Sequence, residues 1–249
     1  MTKKHYGLLG KNISYSFSKK YFLEKFKNLK LNCVYNNFDI ESIEFLPDLL
    51  NENITNLKGF NVTIPYKNDI FKYLDEIDET AQEINAVNCV KIIDQYYLKG
   101  FNTDAYGFEN SLKPLLKPRH KKALILGTGG ASKAVAFVLK KLNIAFTFVS
   151  RNPTTTNQIS YETLTDEIII NHQIIINCTP LGTHPNIQLH PNINYLALTS
   201  KHLLYDLIYN PSETKFLTKG KNQSATIKNG LEMLELQAEK SWEIWNEEN

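Results

Sequence analysis

The stretch from Ala123 to Val149 constrains the fold more than any other. Ala123 to Leu126 is an apolar strand that runs straight into Gly127-Thr128-Gly129-Gly130; Ala131 to Leu142 then reads as a helix, and Ala145 to Val149 as another strand. Strand, glycine turn, helix and strand make a βαβ unit, which places the two strands parallel and calls for helices over the sheet. Glycines at the mouth of the helix let the backbone approach a ligand, and the helix start offers unpaired N–H groups and the positive end of its dipole. The pyrophosphate of a dinucleotide needs both. In the plain GxGxxG spacing the third glycine falls on Ser132, so a glycine turn kept for packing alone also satisfies the pattern.

At the end of the following strand, about 20 residues beyond the glycines, NAD-binding chains carry an acidic residue for the ribose hydroxyls. Ser150-Arg151-Asn152 stands there instead, and no carboxylate occurs between Gly127 and Tyr161. A guanidinium can pair with a 2′-phosphate and stack on adenine. The residues therefore favour NADP over NAD, the alternative being a surface arginine that closes a strand.

The bulk properties exclude several other classes. The 249 residues are 42% hydrophobic, enough for a packed core in one large domain or two small ones. With 28 basic and 26 acidic side chains the net charge is only +2, which provides no basic field to gather nucleic acid. No apolar run reaches the roughly 18 residues of a membrane span, and Met1 to Gly10 carries no signal-peptide pattern, so a cytoplasmic protein is expected. Cys33, Cys89 and Cys178 lack CxxC spacing and the histidines form no HExxH, so neither a disulfide framework nor a metal site is expected.

The first hundred residues alternate strand and helix signals. Tyr6 to Leu9, Cys33 to Phe38 and Leu57 to Val62 read as strands; Phe22, Phe26 and Leu29 recur at helical spacing after Ser18, a candidate cap, and Ile43 to Leu50 is helical. Val87 to Ile93 and Tyr96 to Lys99 read as strands joined by Asp94-Gln95. A helix from Ala105 to Leu116 and the connection Lys117 to Lys122 lead to the glycine turn, with later strands at Gln173 to Asn177 and Leu203 to Leu207. Leu231, Leu234, Ala238, Trp242 and Trp245 form an apolar stripe on a closing helix.

A set of motifs makes the reading specific. The chain carries Asn12-Ile13-Ser14-Tyr15-Ser16-Phe17-Ser18, Gly59-Phe60-Asn61-Val62-Thr63-Ile64-Pro65-Tyr66-Lys67, Ala86-Val87-Asn88 and Gly100-Phe101-Asn102-Thr103-Asp104. After the glycine turn come Asn177-Cys178-Thr179-Pro180-Leu181-Gly182, Tyr205-Asp206-Leu207-Ile208-Tyr209-Asn210-Pro211 and Gly230-x-x-Met233-Leu234-x-x-Gln237. In order and spacing these resemble the shikimate dehydrogenase family over nearly the whole chain.

The resemblance implies a mixed α/β protein of two domains: a discontinuous substrate-binding domain, residues 1–103 plus 230–249, and a Rossmann-like NADP-binding domain, 104–229. It implies NADPH-dependent reduction of 3-dehydroshikimate to shikimate, with no metal, by a monomer or homodimer. Lys67 is then the proton donor to the carbonyl, following a Pro65 that would start a short helix, and Asp104 holds that lysine and a ring hydroxyl. Ser16 and Ser18, two apart on an extended backbone, would face the substrate carboxylate together; Ser18 as a helix cap and Asp104 as an N-cap are compatible alternatives. Asn61, Thr63, Asn88 and Gln237 are implied for the ring hydroxyls. For the cofactor the resemblance implies Gly127, Thr128, Gly129, Gly130, Ala131, Ser150, Arg151, Thr179 and Gly230. A second arginine frequent in the family's cofactor loop is missing, since Asn152 to Gln158 is uncharged. Quinate or quinate/shikimate dehydrogenase, a non-catalytic nucleotide sensor and a methyltransferase remain rival readings.

Overall fold

The computed structural model describes residues 2–14, 16–53, 56–94 and 96–247. Tyr15 of the serine motif and Gln95 of the expected strand connection lie outside them. The chain forms two compact units, Met1–Thr103 with Ala238–Asn249, and Asp104–Gln237.

The first unit is a mixed six-stranded sheet in the order β2-β1-β3-β5-β6-β4. Its strands are β1 (Lys4–Gly10), β2 (Cys33–Asp39), β3 (Leu57–Val62), β4 (Glu76–Ile77), β5 (Cys89–Ile93) and β6 (Tyr97–Phe101). The helices are α1 (Phe17–Asn28), α2 (Leu46–Asn53) and α3 (Glu79–Ile84). β1 pairs in parallel with β2 and β3, whereas β5 runs antiparallel to both β3 and β6. One apolar cluster, with Leu9, Phe60, Ile70 and Val90 buried, fills one side of the unit. A second gathers Tyr6, Phe22, Phe26 and Tyr35 against Trp245.

Local chemistry corrects three expectations here. The cap of α1 is Ser16, not Ser18: the Ser16 hydroxyl accepts from the Ser18 N–H, and Ser18 lies inside the first turn. A residue two beyond the cap offers the N–H that a capping oxygen needs, so the two serines share a helix start and not an extended strand. Pro65 opens no helix; Ile64 to Asn68 is a turn, and a 3₁₀ helix begins only at Asp69. Asp104 is the first helical residue of its helix and does not cap it from outside.

The second unit is a fully parallel sheet in the order β12-β11-β10-β7-β8-β9. Its strands are β7 (Lys122–Leu126), β8 (Ala145–Ser150), β9 (Gln158–Ser160), β10 (Ile174–Asn177), β11 (Leu203–Asp206) and β12 (Thr226–Lys228). α4 (Asp104–Leu112), followed by a 3₁₀ turn at Lys113–Leu115, precedes them, and between them lie α5 (Gly130–Lys141), α6 (Asp166–Asn171) and α7 (Lys215–Asn222). α8 (Leu231–Asn246) follows, and its residues from Ala238 onward belong to the first unit. Counted from β7, the order is that of the doubly wound dinucleotide fold, with the direction of winding reversing between β7 and β10. Strands buried on both faces account for the unbroken apolar runs of β7 and β10.

Candidate functional site

In the first unit, topology gathers the expected substrate residues at one end of the sheet. β1, β3 and β6 all finish there and antiparallel β5 begins there. Ser16 and Ser18 follow β1, Asn61 and Thr63 close β3 and Asn88 precedes β5; Thr103, which sequence reasoning does not assign to the site, follows β6 at the same end. Backbone bonds knit these loops: Thr63 N–H donates to Leu9 O at 2.9 Å, Val62 N–H to Asn88 O at 2.9 Å, and Asn88 N–H to Phe101 O at 3.0 Å. Lys67 is half-buried in the turn after Thr63, and its carbonyl accepts from Val87 N–H at 2.8 Å. The lysine backbone is thus fixed by the strand segment that carries Asn88.

Asp104 and Gln237 are counted with the second unit. Asp104 is buried at the start of α4, and Gln237 is buried on α8, where its side-chain amide donates to Leu234 O at 2.9 Å. α4 packs against this stretch of α8 so closely that a Cβ on Gly107 would stand 2.4 Å from Met233 O.

The second unit holds a cavity of about 350 Å³ lined by Gly127, Thr128 and Gly129 after β7, Ser150 and Arg151 after β8, and Cys178 to Leu181 after β10, with Val149 and Tyr161. It lies at the carboxyl ends of the strands that flank the reversal of strand order, which is where open α/β sheets bind ligands. Arg151 is the one charged side chain in this lining, and its charge acts on the neighbouring Tyr161 phenol. The Ser150 hydroxyl accepts from Asn152 N–H at 3.2 Å, which shapes the turn that presents Arg151. Sequence reasoning finds Gly127, Thr128, Gly129, Ser150, Arg151 and Thr179 here but misses Tyr161, Cys178, Pro180 and Leu181. Cys178, Pro180 and Leu181 flank Thr179 in the Asn177-to-Gly182 motif, which marks the loop without singling them out, whereas only proximity in the fold brings Tyr161 to the cavity.

The glycines divide by cause. Gly127 has φ +98°, a conformation that favours glycine, and a Cβ there would meet Thr179 at 3.0 Å. A Cβ on Gly230 would strike Leu207 O at 2.2 Å, so packing alone demands glycine at that position. Gly129 and Gly130 differ: a Cβ on either meets nothing within 4 Å. Nothing within the fold requires glycine at those two positions, whereas a pyrophosphate seated on the N-terminus of α5 would. Together with Arg151 and the absence of a carboxylate from the lining, this open cradle fits NADP. Gly129→Ala is accordingly expected to change unfolding free energy by less than about 1 kcal/mol. It should raise the NADP⁺ Michaelis constant about tenfold, a loss of about 1.4 kcal/mol; steady-state kinetics beside urea unfolding check both halves.

Behind the cavity lies a buried carboxylate that sequence reasoning does not single out. Asp206 accepts from Asn177 Nδ2 at 3.0 Å, Thr214 Oγ1 at 2.6 Å and Ile208 N–H at 3.1 Å. Asn177 in turn accepts from the Thr179 hydroxyl at 2.7 Å and its N–H at 3.0 Å, so Asp206 anchors the loop that walls the cavity. Burial, opposed by these hydrogen bonds, pushes the Asp206 carboxyl up to about 6. Between about pH 4 and 6 the folded state therefore binds a proton that the unfolded chain has released, and this group's contribution to stability falls as pH rises. Asp206→Asn lacks that titration. The stability advantage of the wild type over the variant should shrink by roughly 3 kcal/mol between pH 4 and 7. Urea unfolding at the two pH values measures this, and parallel profiles would refute it.

Among the described residues no helix is long and apolar enough to cross a membrane. Nor do the described residues include a group of three or more His, Cys, Asp and Glu side chains that could hold a metal.

Comparison with known proteins adds to the geometry. Residues 8–90 match the family described as the shikimate dehydrogenase substrate binding domain. The shikimate dehydrogenase (NADP(+)) of Clostridium beijerinckii is 39% identical over 250 residues, spanning 97% of this chain and 92% of its own length. Among solved structures, a chorismate mutase/shikimate 5-dehydrogenase fusion protein from Clostridium acetobutylicum is 35% identical with a TM-score of 0.87, covering 99% of this chain and 92% of the other. The shikimate 5-dehydrogenase of Thermus thermophilus in complex with NADP(H) and shikimate is 28% identical with a TM-score of 0.85, covering 98% of this chain and 93% of the other.

Proposed function

The chain belongs to the shikimate dehydrogenase family, and from that premise we propose that it interconverts shikimate and 3-dehydroshikimate with NADP as the redox partner. The observation that carries the cofactor half is the cavity at the strand ends, with its open Gly129 cradle and its single charged lining side chain, Arg151. The substrate half is supported by the polar residues collected at one end of the first sheet and by similarity along almost the full chain.

In this reading the unit Met1–Thr103 with Ala238–Asn249 binds the substrate and the unit Asp104–Gln237 binds NADP. Bound NADP supplies the nicotinamide that accepts or returns a hydride. Lys67 gives its ammonium proton to the carbonyl oxygen during reduction and removes the alcohol proton during oxidation. Asp104 binds a ring hydroxyl of the substrate. Ser16 and Ser18, at the start of α1, serve the substrate carboxylate, where the helix dipole adds to their hydrogen bonds. Thr63, Asn88 and Gln237 replace water at the ring hydroxyls. Gly127 to Ala131 receive the pyrophosphate, Ser150 and Arg151 the adenosine 2′-phosphate, and Thr179 and Gly230 shape the remainder of the cofactor site.

The test is NADP⁺ reduction by the purified protein with shikimate or quinate as sole substrate. Turnover with shikimate well above that with quinate is the expected result. Equal or faster turnover with quinate would move the assignment to a quinate/shikimate dehydrogenase.

A further inference from the structure

Five side chains of the first unit form one buried hydrogen-bonded chain. Tyr35 Oη donates to Asn61 Oδ1 at 2.9 Å, and Asn61 Nδ2 donates to Ser241 Oγ at 2.8 Å. Ser241 Oγ lies 3.2 Å from Thr103 Oγ1, which accepts from Asn88 Nδ2 at 3.0 Å. The chain closes on itself, because Asn61 Nδ2 also donates to Asn88 O at 3.2 Å. Tyr35 and Ser241 are both 0% exposed, while Asn61 and Asn88 are 4% and 3% exposed.

The arithmetic of donors makes this chain directive. Both hydrogens of the Asn61 amide are spent on Ser241 and Asn88, so its orientation is fixed and a single Oδ1 lone pair is left for anything else. Asn61 thereby becomes a hub, more a holder of its neighbours than a direct ligand. Tyr35 is held by stacking on Phe22, with ring centroids 4.7 Å apart and planes at 10°. Burial keeps its phenol well above the usual range, so it remains a donor at neutral pH. Ser241 is fixed by its helix, since Trp245 one turn later donates from its indole to Val90 O at 2.9 Å. Removing either hydroxyl leaves a buried group of Asn61 without its partner.

We propose that Tyr35 and Ser241 are positioning residues of the substrate site, holding Asn61, and through it Asn88, in the arrangement that receives the substrate. Neither touches the substrate, as neither is exposed. The proposal rests on the functional reading above, which assigns shikimate to this end of the sheet.

The experiment compares wild type, Tyr35→Phe and Ser241→Ala, each also placed in an Asn61→Ala background. Calorimetric shikimate affinity, both Michaelis constants, the turnover number and the melting temperature are measured for each. The shikimate dissociation and Michaelis constants should rise about three- to tenfold in each single variant, with the NADP⁺ Michaelis constant within about twofold of wild type. In the Asn61→Ala background the same substitutions should change shikimate affinity by less than about twofold, because their route is gone. Lowered melting temperature with unchanged shikimate constants in both variants would mean a purely structural role and overturn the proposal. So would full effects that persist without Asn61. No wild-type turnover or binding with shikimate would overturn the functional reading itself, whereas a normal wild type with unaltered variants overturns only the role of the network.

Discussion

Lys67→Ala is expected to lower the turnover number for shikimate oxidation by about two to four powers of ten, the range over which a positioned general acid–base acts. The Michaelis constants should move far less. Lys67 lies in the turn between Thr63 and the 3₁₀ helix at Asp69, half-buried, with its backbone tied to Val87. Truncation of its side chain leaves that tie in place, so the variant should fold normally and bind NADP⁺ as the wild type does. In its proposed role Lys67 would bind the same oxygen in substrate and product, so some ground-state weakening is expected with the loss, and the ratio of the turnover effect to the Michaelis effect is the deciding quantity. Near-normal turnover at saturating shikimate would remove Lys67 from the chemistry and leave Asp104 as the candidate.

The second large effect concerns cofactor choice. Arg151→Ala should raise the NADP⁺ Michaelis constant by about 10- to 100-fold, since a hydrogen bond to a charged group contributes about 1.5–3 kcal/mol. The NAD⁺ constant should change by no more than about threefold. Asn152 to Gln158 offers no second cation, and Arg151 is the one charged side chain lining the cavity, so no neighbour can take its place. The wild type should accordingly prefer NADP⁺, and the variant should lose most of that preference. Equal losses for both cofactors would place Arg151 against the adenine or the ring oxygens instead of a 2′-phosphate.

Much of this architecture is visible in the sequence where a strong local pattern coincides with burial. β7, the glycine turn, α5 and β8 follow directly from an apolar run, a turn and a helical period, because this sheet is covered on both faces. Short elements escape. β4 is two residues long, and α6 and β12 are six and three, too few for any period to appear. The cap of α1 lies two residues before the expected one because Ser16 and Ser18 are equally good capping side chains; only the turn after β1 selects Ser16. Pro65 has the local character of a helix start, yet the chain must turn there after β3.

The closing helix shows why polar positions are harder. Its apolar stripe reads through Leu231, Leu234, Ala238, Trp242 and Trp245, but Leu231 is 37% exposed and the buried face runs through Met233, Gln237, Ala238, Ser241, Ile244 and Trp245. Two members of that face are polar. A hydrophobicity pattern passes over them, and only the Asn61 and Thr103 side chains opposite Ser241 explain why a hydroxyl is buried there. Asp206 follows the same logic: its three donors come from Asn177, Ile208 and Thr214, and Asn177 meets it only because β10 and β11 are neighbours.

The central claim, that this chain passes a hydride between NADP and the shikimate ring, is tested most directly by analysing the product in the reductive direction. Purified protein is incubated with NADPH and 3-dehydroshikimate, cofactor consumption is followed by absorbance, and the organic product is identified by proton NMR. The account predicts that NADPH is oxidised in equimolar amount with the appearance of shikimate, and that NADH supports the reaction much more weakly. Absence of shikimate, or NADPH oxidation without it, would contradict the account.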